Sequence, residues 1–244
     1  LNRISIAQEY SHPHIDLHAH LFMNEGMTWF FHGDFFGPLK ADSWDDKLSS
    51  QANPDSLNRS GLGLVVVSLY ANALFASPKK SILKQIALTE RFVSQNPEWV
   101  IAKNAEEATS ALQNGKRVLV LSIEGAADIL ETEKDIRAFA KKGVSIVTFA
   151  HLMDDDLVGA AFLVCLEALS NPVAWLKSLI THEKCDGVHS NNRGLTEKGR
   201  AVAHALLKNK IWIDLSHASE GTTRDLLPMM KAAGQPLLYT HTSP

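Results

Sequence analysis

The sequence predicts an α/β fold with a parallel sheet and helical crossovers. Three observations carry this: β-branched runs alternate with amphipathic helical patterns, the composition supports one substantial core, and polar residues recur just after the apolar runs. The 244 residues are 45% hydrophobic and 21% charged, ordinary values for a globular chain with a sizeable interior. Strand and helix in regular alternation argue against a sandwich or a bundle.

Six runs read as strands: Ile15–His20, Leu62–Tyr70, Arg117–Ile123, Val144–Ala150, Ile211–Ser216 and Pro236–Thr240. Helical patterns over Ile82–Gln95 and Ala105–Gln113 precede the third run, and Glu133–Lys142 precedes the fourth. The best-marked helix starts after Thr196, a good N-cap, with Glu197 placed to favour the helix dipole. Gly199, Val202, Ala203 and Leu206 then make one apolar stripe at i, i+3, i+4 and i+7.

Two segments break the rhythm. Phe22–Leu62, rich in aromatic residues, Gly, Asp and Ser, reads as a long loop over the first strand. Leu157–Arg193 reads as one or two extra helices, with a buried one over Leu157–Leu169, followed by the polar stretch Cys185–Arg193. Six βα-type units are visible where a closed TIM-like (β/α)8 barrel has eight. The expectation is therefore a single barrel domain over residues 1–244 that lacks its last one or two βα units, or an open-sheet relative of one.

Composition excludes several classes of function. A formal charge of −3 gives no reason to expect a nucleic-acid partner. No apolar run is long enough to span a bilayer. Cys165 and Cys185 are read as two unpaired thiols, in a helix and a loop, with no activating partner in view. The chain starts at Leu1 with no signal-peptide pattern and ends abruptly at Pro244, so C-terminal incompleteness and an upstream segment already removed are both expected, and the compartment stays open. No G-x-S-x-G elbow, P-loop or G-x-G-x-x-G after a strand is present.

The chemistry lies at strand ends. In His18-Ala19-His20 the two imidazoles sit at i and i+2 of a strand and project from one face. Glu124, His151, His217 and His241 follow directly after the third to sixth predicted strands, and only the second strand, ending near Tyr70, supplies no ligand. Parallel α/β folds collect catalytic groups at the carboxyl ends of their strands. One histidine at a strand end is usually only a polar residue facing solvent, but five of the 11 histidines take such positions here. His12, His14, His32, His182, His189 and His204 do not, and read as surface, loop or helix residues.

Glu124 alone would pass for a helix N-terminal carboxylate. Beside four histidines it reads better as a ligand shared by two metals, since one open zinc site uses three protein ligands. One metal would take His18 and His20, the other His217 and His241. Asp16 and Asp214 share the inward face and are expected to orient ligand imidazoles or cap helices.

The ordered set resembles the membrane (renal) dipeptidase family, peptidase family M19 of the amidohydrolase-like metal-dependent hydrolases. The resemblance rests on Ile15-Asp16-Leu17-His18-Ala19-His20, Ile123-Glu124-Gly125, Phe149-Ala150-His151, Gly194-Leu195-Thr196-Glu197-Lys198-Gly199, Ile213-Asp214-Leu215-Ser216-His217 and Thr240-His241-Thr242-Ser243. It implies a (β/α)8 barrel with two zinc ions, His18 and His20 on the first, His217 and His241 on the second, and Glu124 bridging. It also implies that His151 contacts the substrate and the tetrahedral intermediate, and that a metal-bridging hydroxide attacks the amide of a dipeptide. The expected partner is a small amide substrate; a homodimer stays open.

Two features depart from the family. His20 stands where the family usually has an aspartate, and the family's substrate-carboxylate arginine and catalytic aspartate fall beyond Pro244. Another binuclear amidohydrolase activity, on N-acyl amino acids or lactones, and a catalytically inactive barrel homologue therefore remain the alternative readings.

Overall fold

The computed structural model describes residues 14–22, 54–71, 77–151, 153–161, 183–185 and 188–241. The chain gathers into two compact units, Leu1–Ser122 and Ile123–Pro244. In chain order the elements are β1 (His14–Ala19), α1 (Pro54–Arg59), β2 (Leu62–Tyr70), α2 (Pro78–Gln95), β3 (Trp99–Ala102), α3 (Ala105–Gln113) and β4 (Arg117–Glu124). Then come α4 (Glu133–Lys141), β5 (Val144–Thr148), β6 (Glu183–Cys185), β7 (Val188–Ser190), α5 (Glu197–Lys208), β8 (Trp212–Asp214) and α6 (Glu220–Ala232). Strand β4 is continuous and carries the chain from the first unit into the second.

In the first unit β1 runs parallel to β2, pairing Asp16 with Val65 and Ala19 with Val67, and β2 neighbours β4. The short β3 is parallel to β4, from Trp99↔Arg117 to Ala102↔Val120. Helix α2 starts at Pro78, whose missing N–H costs nothing at a first helical position. Its face of Ile82, Ile86, Thr89 and Phe92 is buried, and the Phe92 ring meets Trp99 at 5.9 Å. Each such apolar side chain contributes about 1.5–3 kcal/mol by leaving water. Arg117 closes the end of α1: its guanidinium donates to the carbonyls of Leu57, Asn58 and Leu62 and lies 3.9 Å from the Trp99 ring centroid.

In the second unit β5 and β8 are parallel, in the register Ile146↔Trp212, Val147↔Ile213 and Thr148↔Asp214. Strands β6 and β7 form a separate antiparallel ribbon. Helices α4, α5 and α6 are each capped at the N-terminus by a hydroxyl: Thr132 accepts from Asp135 N–H, Thr196 from Gly199 N–H, and Ser219 from Thr222 N–H. The buried residues of α5 are Gly199, Val202, Ala203 and Leu206, the stripe expected from the sequence.

Gly199 also explains the G-L-T-x-x-G motif. A Cβ there would lie 1.9 Å from the Leu157 carbonyl oxygen, which itself accepts from Thr196 N–H at 2.9 Å. Gly159 and Gly221 are pressed in the same way against the backbones of Arg193 and Asn192. The segments 154–161 and 191–196 are therefore fixed on α5 and α6 by backbone contact that only glycine permits.

Several expectations are corrected. Residues 236–240 form no strand; Leu238 takes one backbone bond from Leu215, and Thr240 N–H turns instead to the Asp214 carboxylate. The strand expected over 211–216 stops at Asp214, because Ser216 N–H also bonds that carboxylate and His217 leaves the extended region. Leu157–Ala161 is not helical, and the rest of that predicted helix, with Cys165, lies outside the described residues. Cys185 ends β6 and does not lie in a loop, and His189 lies in β7. Of the predicted 22–62 loop, residues 54–59 form α1, and 23–53 lie outside the described residues. Among the described residues no helix is long and apolar enough to cross a membrane.

Candidate metal centre

The second unit assembles four of the six predicted site residues. Glu124, the last residue of β4, is 2% exposed. Gly125 follows with φ +79°, turning the chain so that its N–H bonds the Thr148 carbonyl at 2.9 Å, and a Cβ on it would touch the Cβ of His151 at 3.4 Å. His151 comes three residues after β5 and His217 three residues after β8. His217 has φ +61°, a left-handed conformation that non-glycine residues adopt at a cost, and its carbonyl accepts from Ala161 N–H at 2.6 Å.

The imidazoles converge on one carboxylate oxygen. Nε2 of His241, His217 and His151 lie 3.1, 3.4 and 3.5 Å from Glu124 Oε1. The two nitrogens of His241 and His217 are 2.8 Å apart, with ring centroids at 4.8 Å, and the His151 ring lies 5.1 Å from that of His217. Ligand atoms of Glu124, His151 and His217 all fall within 4.8 Å of one another.

A divalent metal fits this donor set. Zinc bonds of about 2.0–2.1 Å in tetrahedral geometry place neighbouring ligand atoms roughly 3.3 Å apart. The observed separations of 2.8–3.5 Å bracket that edge. A buried carboxylate facing three imidazole nitrogens is also the borderline N/O chemistry that zinc and its neighbours prefer.

The first unit holds the other pair. His18 and His20, at the end of β1, bring their Nε2 atoms to 3.0 Å of each other, with ring centroids 4.7 Å apart. Asp16 accepts the backbone N–H of His18 at 2.9 Å, fixing the strand end. On β1 the apolar residues are the outward ones: Ile15 is 54% and Leu17 43% exposed, while Asp16, His18 and His20 are half-buried. His14 and His204 are exposed, as the sequence suggests.

Asp214, fully buried, is the hub of the second unit's site. Its Oδ1 accepts Ser216 N–H (3.1 Å), Ser216 Oγ (2.9 Å) and Thr240 N–H (3.0 Å), and its Oδ2 accepts the hydroxyls of Thr148 (2.7 Å) and Thr240 (2.6 Å). It reaches the ring of His241 through Thr240, whose Oγ1 lies 2.9 Å from Nδ1. Sequence reasoning found Asp214 but missed Thr148, Ser216 and Thr240. For Ser216 and Thr240 the signal was a hydroxyl residue immediately before a histidine, in Ser216-His217 and Thr240-His241; Thr148 carried none.

Beyond His151, Asp154 accepts from Asn191 Nδ2 at 2.6 Å and pairs with Arg193 at 3.2 Å. Next to it, burial pushes the Asp155 carboxyl up from 3.8 to about 6; the backbone N–H groups of Leu157 and Val158 oppose that rise without cancelling it.

The sequence model of the membrane dipeptidase family (peptidase family M19) matches residues 6–244, and the chain belongs to that family. It is 27% identical over 169 residues to the dipeptidase ataJ of Aspergillus terreus, covering 67% of this chain and 38% of that protein. To an uncharacterised dipeptidase of Schizosaccharomyces pombe it is 28% identical over 166 residues, 67% of this chain and 34% of the other. The matches thus span little more than a third of the length of these relatives.

Among solved structures, a family M19 metallopeptidase described as dipeptidase AC superposes with TM-score 0.65 at 16% identity, covering 96% of this chain and 64% of that one. A Rhodobacter sphaeroides metallopeptidase, liganded with a phosphinate mimic of L-Ala-D-Ala, superposes with TM-score 0.63 at 15% identity, covering 94% and 65%. These likenesses establish the shared α/β fold.

Proposed function

We propose that this chain carries the metal centre of a zinc-dependent dipeptidase built on a (β/α)8 plan as a single hydrolase domain. The observation that carries the reading is the convergence of three imidazole Nε2 atoms on one buried oxygen of Glu124, at 3.1–3.5 Å. In this reading His18 and His20 would hold the first zinc, His217 and His241 the second, and Glu124 would serve both. Family membership supports it, as does the place of His18 and His20 at the end of β1, Glu124 at the end of β4 and His217 just beyond β8.

Bound zinc would polarise the scissile carbonyl and supply an activated water at neutral pH. The protein residues do the rest. Glu124, itself buried, would neutralise part of the metal charge. His217 and His241 present Nε2 toward Glu124, and His241 keeps Nδ1 for its contact with Thr240. His151, 3.5 Å from Glu124, donates to the oxygen of the amide as charge develops on it. The substrate is a small peptide amide; the family relatives named as dipeptidases support that class.

The test joins metal analysis to a substrate panel. Protein stripped by chelator and reloaded with zinc is expected to hold two ions per chain and to hydrolyse dipeptides faster than N-acyl amino acids or lactones. Glu124→Gln is expected to lose paired occupancy. Full zinc stoichiometry in that variant would overturn the bridging role, and preferred cleavage of lactones or N-acyl amino acids would overturn the substrate class.

A further inference from the structure

We propose that Thr240, anchored by Asp214, is a positioning residue that holds His241 as the Nδ1–H tautomer, with its Nε2 lone pair ready for a metal. The inference rests on His241 being a ligand, and it concerns this chain's own hydrogen bonds. Thr240 Oγ1 and Asp214 Oδ2 are 2.6 Å apart, a separation at which two oxygens need a proton between them. The carboxylate is surrounded by five donors, three hydroxyls and two backbone N–H groups, and acts as acceptor only. The shared proton is therefore the hydroxyl proton of Thr240.

A threonine hydroxyl has one proton. Once it is given to Asp214, Oγ1 can only accept, so the 2.9 Å contact with His241 Nδ1 requires a proton on Nδ1. A neutral imidazole then has its lone pair on Nε2, the nitrogen 3.1 Å from Glu124 Oε1. Ser216 repeats the logic for the backbone. Its hydroxyl donates to Asp214 Oδ1 at 2.9 Å and accepts His241 N–H at 3.2 Å. One buried carboxylate thus fixes both the main chain and the ring of His241 through two hydroxyl relays. Outer hydrogen bonds of this kind set ligand tautomer and basicity in metal sites.

Thr240→Val keeps the side-chain shape and removes the relay, and Thr240→Ser restores it. The tautomer is read in metal-free protein by long-range ¹⁵N–¹H correlation of the imidazole nitrogens, with the His241 signals assigned by their loss in His241→Asn. The parent and Thr240→Ser are expected to carry the proton on Nδ1, and Thr240→Val to shift it toward Nε2. Zinc affinity from chelator competition is expected to fall about 10–100-fold in Thr240→Val and to return in Thr240→Ser. A parent His241 with no proton on Nδ1, or a Thr240→Val that keeps both tautomer and affinity, would overturn the relay. If the parent binds no zinc, the metal reading fails while the tautomer measurement still decides the relay.

Discussion

Replacing Asp155 by Asn should stabilise the protein at neutral pH and leave it unchanged in acid. Asp155 Oδ1 accepts the N–H groups of Leu157 at 2.7 Å and Val158 at 3.0 Å, and both of those residues are buried. An asparagine oxygen keeps both bonds but cannot ionise. The carboxyl titrates near 6 in the folded protein against 3.8 ordinarily, chiefly because burial disfavours its charge. Between these values the folded state holds a proton that the unfolded state has released, so this group's contribution to stability is full below pH 3.8 and is lost as pH rises through 6. A rise of about two units corresponds to at most about 3 kcal/mol. Residual solvent access reduces that to about 2 kcal/mol. Urea unfolding of metal-free parent and variant between about pH 3 and pH 7.5 measures it, and histidine titrations cancel in the difference. The variant should match the parent at the acid end and exceed it by about 2 kcal/mol at the neutral end. Curves offset by a constant, or a variant weaker at neutral pH, would refute the burial argument.

Gly199→Ala should lose about 2 kcal/mol in urea: better helix propensity returns about 1 kcal/mol, but overpacking against the Leu157 carbonyl and the strained Thr196 bonds cost more. Arg117→Lys should lose most of what Arg117→Ala loses, about 2–4 kcal/mol, because an ammonium cannot reach three carbonyls and cover Trp99 at once; thermal melting reads this. His151→Ala should retain zinc and lower kcat about 10²–10³-fold, the loss typical of a removed oxyanion donor. Departure of one ion would instead make His151 a ligand, which its place beside Glu124 and His217 also permits.

The scaffold was legible wherever a local rule acted alone. Helix α3 matched its expected bounds, and Thr196 capped α5 as its hydroxyl and spacing suggest. Strand β3 was missed because its four residues, hidden between two helical patterns, are too few to show a period, although Pro97 and Asn104 bound the Trp-Val-Ile run. Helix α6 was missed because Pro228 lies inside it, and an internal proline normally argues against a helix. The strand expected over 236–240 failed for a tertiary reason: an apolar run predicts backbone pairing, and here a side-chain carboxylate takes the N–H of Thr240.

The candidate site shows the same division between signals that act along the chain and those that act across it. Histidines at strand ends are visible because alternation and strand termination are local properties. The geometry that makes them useful is not local: Thr148 and Thr240 meet at one oxygen of Asp214, and nothing in their sequence spacing announces it. The left-handed φ of His217 likewise depends on Ala161, 56 positions earlier, which donates to its carbonyl. A left-handed histidine costs roughly 1–3 kcal/mol, and such strain persists only when the surroundings over-determine it. Here they do, because Ser216 is tied to Asp214 on one side and the His217 carbonyl to Ala161 on the other. The candidate histidines are therefore visible in the sequence pattern, whereas the orientation of the His241 ring belongs to Asp214 acting through Thr240. An Asp214→Asn variant that folds should keep every imidazole present yet loosen Ser216, Thr240 and the ring of His241 together, so metal affinity should fall by more than in Thr240→Val.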